Sequence, residues 1–90
     1  MPPEPYKSTP EFTQDTLPAA IRGAHATKAG VWGLLRVLEG GATLVFHAPP
    51  RSVMVTPDAP VVITPEAEHH VETDGPVRMR VEFYREPPLG

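Results

Sequence analysis

The sequence predicts an all-β fold closed into a small barrel, and three observations carry that expectation. The segment Val77–Tyr84 alternates Val77, Met79, Val81 and Phe83 with Arg78, Arg80, Glu82 and Tyr84. That period of two places one face in a core and the other against solvent or a partner. Upstream, apolar runs of strand length are separated by turn residues, 13 prolines and 7 glycines among 90 residues. Two histidine-bearing stretches, Ala24-His25-Ala26-Thr27 and His69-His70-Val71-Glu72, then each set one histidine on an apolar strand face.

Taken in order, residues 1–10 are proline-rich and polar and read as an extended arm that frays or lies along a neighbouring strand. Residues 11–86 form a single β domain and 87–90 a tail. Ala20–His25 is expected as the first strand and Val31–Leu38 as a second. Glu39-Gly40-Gly41 turns the chain back through Ala42–Phe46, and Pro49-Pro50 breaks that strand. Ser52–Thr56 and Val61–Thr64 follow, and the alternating Val77–Tyr84 closes the domain. A helix over that last segment would scatter its apolar residues around the cylinder.

Composition excludes several functions. A net charge of −3 gives no electropositive field to hold a phosphate backbone, so nucleic acid is not an expected partner. The absence of cysteine removes disulfides, thiolate metal sites and cysteine nucleophiles, and fits a reducing cytoplasm. The N-terminal Met1-Pro2-Pro3-Glu4-Pro5 lacks the features of a signal peptide, and no apolar run approaches the ~18 residues of a membrane span. A soluble protein that does not engage membranes is therefore expected. Phosphate-loop, GxSxG, HExxH and calcium-loop patterns are also missing.

Four histidines focus the search for a site. Strand parity aims His69 inward with Val71 and His25 inward with Ile21, whereas His70 and Glu72 face outward and His47 ends a strand. A buried imidazole must find partners for its nitrogens, because an unsatisfied polar group costs about 1–3 kcal/mol. A ligand or a metal would satisfy it, and so would a carbonyl or a hydroxyl such as that of Thr27 or Thr64. His25 and His69 are accordingly the candidate metal ligands, with zinc or a similar divalent transition metal as the cofactor. With Lys28, a cation in the polar turn before Gly30, they also form the candidate ligand pocket, open to a small molecule or an oxyanion. Trp32 reads as a core or interface aromatic.

Ser8-Thr9-Pro10-Glu11-Phe12-Thr13, Thr16-Leu17-Pro18-Ala19, the run from His25 to Gly33, Val37-Leu38-Glu39-Gly40 and Val81-Glu82-Phe83-Tyr84-Arg85 together resemble the TehB/YeaR-like cupin family. The resemblance implies a cupin-type double-stranded β-helix, a jelly-roll barrel often assembled as a homodimer. It also implies a ligand-binding role, with or without metal, in resistance to tellurite or related toxic oxyanions. His25 stands where a cupin's first histidine would be and His69 near that of the second motif. Thr27 and Trp32, however, occupy the places of two further metal ligands. A metal-dependent oxygenase or isomerase and a metal-free structural dimer are the alternatives. The sequence carries no glycine-rich methyl-donor motif.

Overall fold

The computed structural model describes residues 4–88. The outermost residues of the expected arm and tail, 1–3 and 89–90, lie outside the described residues. The elements are β1 (Lys7–Ser8), β2 (Phe12–Thr13), α1 (Ala19–Arg22), β3 (Trp32–Gly40), β4 (Ala42–His47), β5 (Pro50–Val55), β6 (Val61–Ile63), β7 (His69–Glu72) and β8 (Val77–Tyr84).

They build two open antiparallel sheets where the sequence suggested a closed barrel. The first runs β1-β8-β3-β6, with β2 also pairing β8, and the second runs β5-β4-β7. No strand ladder joins the sheets among the described residues. A closed barrel requires an unbroken circuit of paired strands, so the expected barrel is replaced by two packed open sheets. Between β5 and β6 the chain crosses from one sheet to the other through Pro57-Asp58-Ala59-Pro60, tied by an isolated Thr56–Ala59 bridge. Its two prolines offer no N–H to extend a ladder.

The Gly40-Gly41 corner likewise changes sheets and does not fold a hairpin. β3 pairs with β8 up to Gly40 opposite Val77, while β4 pairs with β5 and β7. Gly40 has φ +77°, and a Cβ there would collide with the Pro76 carbonyl oxygen. Only glycine meets both the left-handed backbone and the close approach.

A second correction concerns Ala20–His25, expected as a strand. Residues 19–22 form one helical turn closed by the Gly23 N–H on the Ala19 carbonyl at 3.0 Å. Two alanines directly after Pro18 favour the turn, and Ile21 packs against the core from it. His25 alone returns to a β geometry.

The sheets pack over one core. Leu35, Val37, Met79 and Val81 come from the first, and Leu44, Phe46, Val55 and Val71 from the second, with Leu17 joining them from the segment before α1. The period of two in β8 holds on this inner face. The outer face differs from expectation, because Glu82 and Tyr84 are buried as well. Leu34, opposite Glu82 in the ladder, is fully buried.

Candidate functional site

His69 lies on β7 and is 3% exposed. Its Nδ1–H donates to the Ala67 carbonyl at 2.7 Å, which leaves Nε2 with a lone pair. Burial pushes its pKa below the ordinary 6.5; the Ala67 bond opposes this, and nearby His25, His47 and His70 reinforce it. The ring is thus neutral at pH 7.

His25 is fixed to it by backbone pairing. The His25 N–H donates to the His69 carbonyl at 2.9 Å, and the His69 N–H donates back at 2.8 Å. The two rings sit 4.7 Å apart between centroids, tilted by 60°. The chain then turns outward. The Glu66 N–H reaches both the carbonyl and the hydroxyl of Thr27, and the Val31 N–H closes on the Lys28 carbonyl. Gly30, at φ +77°, lets the turn reverse toward β3.

This arrangement brings all three sequence-predicted site residues to one end of the sandwich, divided between two adjoining spaces. An inner chamber of about 70 Å³ is lined by His25 and His69 with Thr27 and apolar side chains including Ile21, Leu35, Ile63 and Phe83. An outer cleft of about 220 Å³ is lined by His25, Thr27, Lys28, Val31 and Phe83, joined by Tyr6 and Lys7. Sequence reasoning missed Lys7 and Tyr6, because the arm's position was left open. The pairing of Lys7 with Phe83 and of Ser8 with Glu82 puts them there.

His25 and His69 stand without a third ligand. Among the described residues, no three His, Asp or Glu side chains are placed to hold a metal, and a zinc site ordinarily takes three or four protein ligands. Two other groups that might have completed a set are engaged elsewhere. His47 and His70 stand on the outer face of the second sheet, His47 Nε2 and His70 Nδ1 2.6 Å apart, with Glu68 on His47 and Glu72 on His70. Glu82 lies on the outer face of the first sheet. It accepts from Arg36 at 2.8 Å, from Arg80 at 3.0 and 3.1 Å, and from the Tyr84 hydroxyl at 2.8 Å. Burial alone would raise the Glu82 pKa. The hydrogen bonds from Arg36, Tyr84 and Arg80 outweigh it and hold the carboxyl below its ordinary 4.5.

Comparison with known proteins corrects the cupin assignment. A family profile, TehB-like domain, matches residues 7–81. A probable S-adenosyl-L-methionine-dependent methyltransferase, TehB, of Haemophilus influenzae is 35% identical over 72 residues, covering 74% of this chain and 25% of that protein. The crystal structure of TehB from Haemophilus influenzae superposes with a TM-score of 0.81 at 29% identity, over 92% of this chain and 31% of that one. A solved Escherichia coli K12 protein gives a TM-score of 0.78 at 26% identity, over 89% of this chain and 87% of that one. The chain therefore spans about a quarter of the curated relative it matches, yet nearly the whole of another solved chain.

The match is to the TehB-like domain in place of a cupin family. With the cupin assignment go the roles it implied: a cupin ligand-binding or metal-binding protein of tellurite resistance, a metal-dependent cupin oxygenase or isomerase, and a metal-free structural dimer. What misled the sequence reading is that two packed antiparallel sheets and a closed barrel have the same strand periodicity and turn spacing. With the match extending from β1 into β8, the chain belongs to the TehB-like domain family.

Proposed function

We propose that this chain acts in S-adenosyl-L-methionine-dependent methyl transfer, as a β-sheet module that serves the methyl-transferring part. The observation that carries the reading is the 35% identity over 72 residues to the Haemophilus influenzae methyltransferase TehB. The fold supports the division of labour. Nucleotide-type cofactors sit at the carboxyl ends of parallel strands, beside glycine-rich turns, and both sheets described here are antiparallel. In this reading the His25, Lys28 and His69 end of the sandwich is where the module holds a small molecule for the reaction.

The test is radiolabelled methyl transfer by whole TehB of Haemophilus influenzae into the small-molecule fraction of a cell extract, with and without an excess of this chain. The chain is expected to change the rate at least about twofold when acceptor is limiting, by presenting or sequestering it. An unchanged rate, together with no label transferred by the chain itself, defeats the reading.

Self-association as a homodimer is the second proposal. Strand β5 ends its sheet with one side unpaired and carries the exposed Met54, and an open edge of this kind is a ready template for a second strand. Sedimentation equilibrium at micromolar concentration is expected to return twice the 9.8 kDa chain mass, and a monomer would refute it. Among the described residues, no helix is long and apolar enough to cross a membrane.

A further inference from the structure

The outer cleft concentrates positive charge that no ion pair among the described residues neutralises. The sequence contains only two lysines, Lys7 and Lys28, and both line this one cleft. They arrive from distant parts of the chain, Lys7 on β1 and Lys28 in the turn after His25. Among the described residues no carboxylate lines the cleft, although acidic residues outnumber basic ones by 11 to 8. Among the described residues neither lysine forms an ion pair. Three of the six arginines, Arg36, Arg78 and Arg80, are by contrast paired with glutamates. Val31, Phe83 and the ring of Tyr6 give the cleft an apolar, aromatic side, and His25 and Thr27 add polar groups beside it. Arg85 lies over the outer face of that ring at 4.2 Å and adds a third cation nearby.

We propose that this cleft binds a small organic anion, a short-chain carboxylate, with its head group between Lys7 and Lys28 and its alkyl part against Val31 and Phe83. Unneutralised cations around an apolar concavity favour this class over a neutral or cationic ligand. The inner chamber sets the reach of the alkyl part, because His25, Thr27 and Phe83 line both spaces. A volume of about 70 Å³ behind them holds a short alkyl group, given that a water molecule takes about 30 Å³. The inference rests on reading this end of the molecule as a small-molecule site. It needs no methyl transfer, so either can fail alone.

The experiment is a titration of the ¹⁵N-labelled chain with acetate, butyrate and butylamine at low ionic strength, followed by amide shifts. Butyrate is expected to move the signals of Lys7, His25, Lys28 and Val31 and to bind more tightly than acetate. Butylamine should leave them in place. Lys7→Gln and Lys28→Gln are each expected to weaken butyrate about fivefold, the effect of one unit charge at about 4 Å in water. Raising ionic strength from 0.01 to 0.15 M should weaken it further, as screening at about 8 Å dictates. Equal shifts with butylamine, or a folded double variant that binds butyrate like the parent, would overturn the proposal. Loss of methyl-transfer stimulation with butyrate binding intact would count against the methyl-transfer reading alone.

Discussion

The two faces of strand β8 handle charge in opposite ways. On the outer face of the first sheet, Arg36, Arg80 and Tyr84 converge on Glu82 and fill both of its oxygens. Near the end of the strand, where Phe83 turns toward the cleft, Lys7 and Lys28 have no acidic partner among the described residues. The first cluster is closed and fixes structure, because a buried carboxylate is tolerated only when its lone pairs are occupied. The second is open, and its unpaired charges are available to something else. A residue's charge therefore says little about its role until its partners are counted.

The sharpest way to break the comparison uses two glycines with the same backbone angle. Gly40 and Gly30 both have φ +77°, yet a Cβ at Gly40 meets the Pro76 backbone while one at Gly30 meets nothing within 4 Å. Gly40→Ala is expected to cost at least about 3 kcal/mol in denaturant unfolding, and Gly30→Ala only about 1 kcal/mol. Equal losses would mean that the corner is not as tight as described. Next in size is Glu82→Ala, which strands two guanidinium groups and a buried hydroxyl. Its cost is expected near 2 kcal/mol, below that of a wholly buried pair because both arginines are partly exposed.

Acid should separate the two regions in pH. His69 has a lowered pKa in the folded chain, so its contribution is complete above 6.5 and declines as pH falls through that value toward the folded one. Glu82 is also lowered, so its contribution is complete above 4.5 and is lost only as pH falls further. Thermal melts are expected to drop in two stages on acidification. His69→Gln should flatten the first stage and Glu82→Gln the second. The smallest effect belongs to the cleft. Lys7→Gln with Lys28→Gln should change stability by less than about 0.5 kcal/mol, and a larger loss would show that these lysines hold structure after all.

Much of the fold was legible from strand period and turn residues. The inner face of β8 and the strands β3, β4, β5 and β6 follow from alternation and punctuation. Their arrangement in two sheets did not follow, since it depends on which strands pair across long stretches of chain. The helical turn at Ala19–Arg22 was missed because Ile21 and His25 fit a strand's parity as well as they fit a helix followed by a single bridge. Of the residues lining the candidate site, His69 follows from strand parity and Lys28 from its turn, whereas the parity that aimed His25 inward belonged to a strand that is a helical turn here. Lys7 and Tyr6 were not, because their place is set by long-range pairing of the arm with β8. The burial of Glu82 was equally invisible, since alternation marks the face of a strand and says nothing about what covers that face.

The reciprocal backbone pairing of His25 with His69 makes the cleft a dependent of the second sheet. The segment carrying Lys28 is tied to β7 by two backbone hydrogen bonds at 2.8 and 2.9 Å, and neither can open without weakening the other. Their amide hydrogens should exchange with solvent at one common rate, set by the breathing of β7. A disturbance on the far side of that strand, at His70 or Glu72, would then reach Lys28 through the main chain, while Lys7, paired to β8, would not feel it.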